Sequence, residues 1–98
     1  MSEDITAVEL KKRLSSGEAL QFIDVREEWE HEEVNIGARC IPLHSLPTRL
    51  GELGARSQEI IVHCKSGARG KQARKYLTSH GFENVRNLAG GIEAFLKS

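Results

Sequence analysis

Apolar and polar positions alternate along this chain in two rhythms, one helical and one extended. Val8, Leu10 and Leu14 form a helical stripe behind Thr6-Ala7-Val8-Glu9, a spacing that fits a capping box, and Gly17 closes the segment. Leu20-Gln21-Phe22-Ile23-Asp24-Val25 reads as a buried strand whose end carries the polar pair Asp24 and Arg26. Residues 27–34 are acidic and read as a short exposed helix around Trp29. Gly37 to Leu43 reads as a turn and a short strand, and residues 45–53 as a helix that tolerates Pro47 in its first turn. Residues 59–63 are the most apolar short run and suit a central parallel strand. Ala73, Tyr76 and Leu77 share one face of a helix over 68–80, which Gly81 ends as a left-handed cap with Phe82 folding back. A last strand is expected over 85–88 and a last helix over 91–97.

Strands alternating with helices in a short chain imply an α/β layer structure with a mainly parallel sheet. Ninety-eight residues are enough for one core, so one domain over residues 1–98 is expected. In such sheets ligands bind beyond the carboxyl ends of the strands. Cys64 and the Asp24/Arg26 pair both fall at such ends, so two separate segments converge on one expected site.

Composition narrows the partners. Fourteen basic and fourteen acidic residues cancel to a formal net charge of zero, which removes the usual argument for a nucleic acid or membrane surface. No apolar run approaches a membrane span, and Met1-Ser2-Glu3-Asp4 is unlike a secretory leader, so a reducing cytoplasmic setting is expected. There, a cysteine in a cationic loop points to chemistry more than to a disulfide between Cys40 and Cys64. The histidines at 31, 44, 63 and 80 show no metal-ligand spacing, and no metal is expected.

The loop is Cys64-Lys65-Ser66-Gly67-Ala68-Arg69, which leaves the strand Ile60-Ile61-Val62-His63 and opens a helix. Backbone N–H groups, a positive helix end and the cations Lys65 and Arg69 all favour a thiolate at such a position. Gly67 allows a tight curl at positive φ, which turns successive N–H groups inward as an anion nest. The plain alternative is a small buried cysteine at a strand end. Arg69 either binds the oxygens of an anion or turns outward onto a carboxylate; Lys65 is either electrostatic help or solvated; Ser66 either donates its hydroxyl or stabilises the turn. His63 and Cys64 are strand neighbours and should face opposite ways, while Cys40 lies in an apolar segment and suits core packing.

Cys64 to Arg69 with its preceding strand resembles the active-site loop of the rhodanese family of sulfurtransferases. The resemblance runs along nearly the whole chain: Asp24-Val25-Arg26-Glu27, Gly37-Ala38 with Ile41-Pro42-Leu43, Gly81-Phe82-Glu83-Asn84-Val85, and Leu88-Ala89-Gly90-Gly91-Ile92 fall in the family's order. Three departures stand out. Glu33 to Gly37 lacks the family's histidine and proline, Gly70 replaces its serine after the arginine, and Phe95 stands where tryptophan is frequent.

The resemblance implies a three-layer α/β fold, with helices on both faces of a mainly parallel sheet. It implies Cys64 as nucleophile, carrying a persulfide between a small anionic donor such as thiosulfate and a thiol, cyanide or protein acceptor, with no cofactor. Lys65, Ser66, Gly67, Ala68 and Arg69 would form the cradle, Asp24 would anchor neighbouring loops, and Arg26 would sit near the pocket rim, either touching substrate or pairing with Glu27 or Glu30. A monomer would suffice. The rivals are a sulfur relay or regulatory module on the same fold, and cysteine phosphatase or arsenate reductase chemistry. The last uses a C-x5-R loop, whereas Cys64 to Arg69 is C-x4-R and suits a sulfur atom better.

Overall fold

A computed structural model describes residues 4–98; residues 1–3, part of the stretch read for a leader, lie outside the described residues. The chain runs α1 (Ala7–Ser15), β1 (Phe22–Asp24), α2 (Glu28–Glu33), β2 (Arg39–Cys40), α3 (Leu46–Arg49), β3 (Ile60–His63), α4 (Ala68–Ser79), β4 (Val85–Asn87) and α5 (Gly91–Lys97). The four strands form one parallel sheet in the order β2-β1-β3-β4. Ile5 bridges in parallel to Leu88 and extends the β4 edge. The expected α/β class and parallel sheet are therefore the observed ones.

Alternation along β3 divides the core into two layers. Ile60, Val62 and Cys64 pack with Ala73, Leu77, Phe82 and Leu46 on the α3/α4 face. Ile61 packs with Ile5, Leu10, Phe22 and Leu88 on the α1/α5 face. A sheet buried on both sides needs apolar residues at successive positions, which is why these strands show no polar alternation.

Each strand is short, and Asp24, Cys40, His63 and Asn87 end them at one edge of the sheet. That edge carries the site. The central segment differs from the expected continuous helix over 45–53: a 3-10 turn at Leu43–Ser45 precedes α3 and another at Leu50–Glu52 follows it. Leu46 and Leu53 are both buried while Pro47 and Gly51 break regularity between them, so the chain tightens to seat both leucines.

The helix ends obey local chemistry with one exchange of partner. Thr6 Oγ1 accepts from the Glu9 N–H at 3.1 Å, but the Glu9 carboxylate turns to Arg86 at 2.8 and 3.1 Å instead of closing the capping box. At the end of α4, Gly81 adopts φ 91° and the Phe82 N–H donates to Leu77 O at 3.1 Å, folding the buried Phe82 ring back. The acidic helix α2 buries no side chain, so polar contacts hold it in place.

Candidate active site

Cys64 follows β3 directly and lies at the start of α4, the longest helix of the fold. Its Sγ accepts hydrogen bonds from the N–H groups of Gly67 at 3.1 Å and Gly70 at 3.2 Å. Gly67 makes this curl possible at φ 120°, a region that side chains with a Cβ rarely enter. The N–H groups can point inward because the carbonyls have partners outside the loop. Ile92 N–H donates to Cys64 O at 2.8 Å, Glu93 N–H to Lys65 O at 3.1 Å, and the Asn87 amide to Gly67 O at 3.1 Å.

The glycine pair that opens α5 has a steric reason. A Cβ at Gly91 would sit 2.6 Å from the Cys64 carbonyl oxygen, so only glycine lets α5 approach the loop closely enough to hold it. A Cβ at Gly70 would overlap the Asn87 side-chain oxygen, which is buried without a hydrogen-bond partner among the described residues. The glycine in place of the family's serine is thus matched to Asn87.

The sequence-expected residues fall as follows. Lys65, Ser66 and Ala68 are exposed, and among the described residues the Lys65 and Ser66 side chains make no hydrogen bond or ion pair. The donors on Sγ are backbone groups, not the Ser66 hydroxyl. Arg69 turns onto a carboxylate: its two terminal nitrogens pair with Glu30 at 2.6 and 2.9 Å. That pair holds the Glu30 carboxyl well below the ordinary range, at about 2, through the Arg69 hydrogen bonds. It also ties α2 to the rim of the loop.

Asp24 and Arg26 form a buried pair beneath that rim. Asp24 accepts from the Arg26 N–H and side chain at 2.8 to 3.2 Å and from His31 Nδ1 at 2.9 Å. Burial pushes the Asp24 carboxyl up, yet these hydrogen bonds, Arg26 foremost, bring it below its ordinary value. Arg26 also donates to Val34 O at 2.6 Å. It is 3% exposed and pairs with Asp24, so of the two alternatives the surface pair with Glu27 or Glu30 does not form. The chain turns back at Arg26, which brings its guanidinium within reach of the carboxylate two residues earlier. Together the pair anchors the segment that carries α2.

His63 faces the opposite side from Cys64, against the Phe22 ring at 5.2 Å, as strand alternation requires. Burial lowers its pKa to about 4, and Nε2 lies 3.8 Å from Asp24, too far for a hydrogen bond. Cys40 is half-buried at the edge strand, not in the core, and burial raises its thiol above the ordinary value. Strand β1 separates it from β3, so it is no direct partner for Cys64. Among the described residues no group of histidine, cysteine or carboxylate side chains could hold a metal ion. Nor is any described helix long and apolar enough to cross a membrane.

Sequence reasoning missed Asn87, named Glu30 only as a partner for Arg26, and named His31 only among histidines without metal-ligand spacing. Each reaches the site from another element, and only the capping geometry of Glu30, whose carboxylate accepts from Glu27 N–H at 3.0 Å, has a local signal. Gly91 was visible as a motif but not as a contact.

Clefts flank the loop, two of them beside Gly67 and Arg69. One of about 220 Å³ is lined by Val25, Glu27, Leu43, His44 and Arg69, the other of about 360 Å³ by Ser66, Gly67, Lys71, Asn87 and Gly90 among others. A thiol held by two inward N–H groups, in a six-residue loop from Cys64 to Arg69, is a site for negative charge on sulfur.

The model of the rhodanese-like domain matches residues 6–98. The chain belongs to the rhodanese-like family. It is 34% identical over 98 residues to a sulfurtransferase of Allochromatium vinosum, covering 99% of this chain and 91% of that protein. Its fold superimposes on the rhodanese-like domain of an Anabaena protein with a TM-score of 0.89, at 32% identity over 99% of this chain and 75% of that one. A human single-domain sulfurtransferase matches with a TM-score of 0.84 at 25% identity, covering 97% and 96% of the two chains. The rhodanese-like, three-layer arrangement expected from the motifs is thereby established.

Proposed function

We propose that this rhodanese-like protein transfers sulfane sulfur through a persulfide on Cys64. The observation that carries the reading is the pair of N–H donors, from Gly67 and Gly70, aimed at Cys64 Sγ. In the first half-reaction the thiolate attacks the outer sulfur of a donor such as thiosulfate. The donor's S–S bond breaks, sulfite leaves with the electron pair, and Cys64 becomes Cys–S–S⁻. In the second, a nucleophile such as cyanide or a thiolate takes the outer sulfur, and Cys64 leaves as thiolate. Cyanide yields thiocyanate. Negative charge stays on sulfur throughout, and fixed N–H dipoles stabilise it without having to reorganise. Sulfite leaves before the acceptor reacts and Cys64 alternates between thiolate and persulfide forms, so ping-pong kinetics are expected.

Family membership and the likeness to named sulfurtransferases support sulfur transfer over phosphoryl transfer, as does the loop length of Cys64 to Arg69. A second reading, relay of sulfur between proteins, is favoured by the Arg69–Glu30 pair. It occupies the guanidinium that a small anionic donor would use. Incubation with thiosulfate, then mass measurement of the intact chain and its Cys64 peptide, tests the persulfide. One added sulfur on Cys64 is expected; an unmodified Cys64 under saturating thiosulfate, with phosphatase turnover instead, would overturn it.

A further inference from the structure

Four large apolar side chains are strongly exposed among the described residues, and three of them, Trp29 at 63%, Leu96 at 58% and Val34 at 40%, line one groove. The groove, of about 220 Å³, lies between α2 and α5. It is lined by Lys65, the residue after Cys64, and by the buried Ile92, whose N–H is bonded to the Cys64 carbonyl at 2.8 Å. Exposed apolar groups scattered singly need no explanation, but a tryptophan and two aliphatic side chains around one depression mark a contact surface.

The charge of the groove says what it contacts. Glu33 and Glu93 line it, and Glu28 and Glu32 stand on the same helix; among the described residues none of the four is in an ion pair. Two nearby arginines are already committed, Arg26 to Asp24 and Arg69 to Glu30, which leaves Lys65 in the groove and Lys97 at the end of α5 against the four carboxylates. A negative, apolar groove repels a small anionic sulfur donor and attracts a surface of lysine or arginine around an apolar side chain.

We propose that the α2/α5 groove docks a protein that exchanges sulfur with Cys64, through an apolar anchor of that partner flanked by basic residues beside its own thiol. The proposal rests on the sulfur-transfer reading and assigns the protein-borne half-reaction to one face of the loop. Trp29 and Leu96 grip the anchor, Glu33 and Glu93 set its orientation, and α5 fixes the distance to the nucleophile because its first turn is hydrogen-bonded to the loop backbone.

The test uses the full chain and two short synthetic peptides of equal length, each with one cysteine beside leucine, flanked by lysines in one and by glutamates in the other. Cys64 is first loaded with thiosulfate and its persulfide confirmed by mass. Transfer to the lysine peptide should reach half-saturation at a concentration about tenfold lower than transfer to the glutamate peptide, and the advantage should shrink with salt. Trp29→Ala should raise the half-saturation concentration of both peptides about tenfold, because both carry the leucine anchor, and Glu33→Lys should remove most of the lysine peptide's advantage, each while the cyanide rate stays unchanged. Equal half-saturation for both peptides, or variants that alter the cyanide rate as much as the peptide rate, would overturn the proposal.

Trp29 is the only tryptophan in the chain, so its fluorescence reads docking without any sulfur chemistry. A lysine peptide with serine in place of cysteine should shift it saturably, and the glutamate version should not. This separates the two ideas. Saturable binding without persulfide formation would leave the docking surface standing and sink the transfer reading; persulfide formation without a fluorescence shift would do the reverse. A shift that depends on protein concentration alone, with dimers in sedimentation, would assign the groove to a second copy and overturn the proposal.

Discussion

The side-chain oxygen of Asn87 fills the space that a Cβ at Gly70 would need, and the nitrogen of the same amide holds the Gly67 carbonyl at 3.1 Å. One side chain from the end of β4 therefore sets both N–H donors that face Cys64, because Gly67 and Gly70 are those donors. Gly70→Ala should push Asn87 off the loop, destabilise the fold by roughly 1–3 kcal/mol and slow alkylation of Cys64. Gly70→Ala/Asn87→Ala should recover the stability and not the alkylation rate, since it restores space without restoring the hold on Gly67. Denaturant midpoints and iodoacetamide kinetics measure the two effects; additive losses of stability in the double variant would disprove the coupling.

Cys64 and Cys40 should separate cleanly. Cys64→Ser is expected to lower thiosulfate:cyanide transfer by more than about a thousandfold, as loss of a covalent nucleophile does. Cys40→Ser should leave most of the activity, because Cys40 is a strand away with a raised pKa. Residual turnover in the first variant, measured as thiocyanate, would remove Cys64 from the chemistry.

The Arg69–Glu30 pair predicts opposite effects from its two halves. Arg69→Ala should raise the thiosulfate KM. Glu30→Gln should lower it by roughly two- to tenfold, because the guanidinium no longer needs to leave a carboxylate before it meets an anion. Steady-state kinetics decide, and an unchanged KM in both variants would show that Arg69 serves only to clasp α2.

His63 makes stability depend on pH above the range of the carboxylates. Its folded-state pKa is lowered from 6.5 to about 4 by burial, so between those values the unfolded chain binds a proton that the folded chain refuses. Stability is unaffected by this group above pH 6.5 and falls as the pH drops from 6.5 to 4, by on the order of 3 kcal/mol. Urea unfolding across that window should show the fall in the native protein and lose most of it in His63→Gln. Glu30 acts lower, its contribution present above 4.5 and lost as the pH falls through about 2.

Much of this fold is legible because the information is local. Three successive apolar residues at Ile60-Ile61-Val62 call for a strand covered on both faces, Gly81 before Phe82 closes a helix, and a cysteine followed three residues later by glycine can curl into a nest. All of these depend on neighbours within one or two turns of chain. The break of the 45–53 helix was legible only in part, because Pro47 and Gly51 are local signs of it whereas the burial of Leu46 and Leu53 is not.

What the chain by itself determined is the cysteine proposed as nucleophile, its six-residue loop and the α/β order that brings Cys64 to a strand end. Tertiary structure decided what surrounds them. Asn87 from β4, Gly91 from α5 and Glu30 from α2 meet the loop only when the parallel sheet aligns its strand ends. No rule of sequence spacing connects Cys64 to residues more than twenty positions away. Their identities answer to sterics and unpaired backbone groups that exist only once the layers have packed.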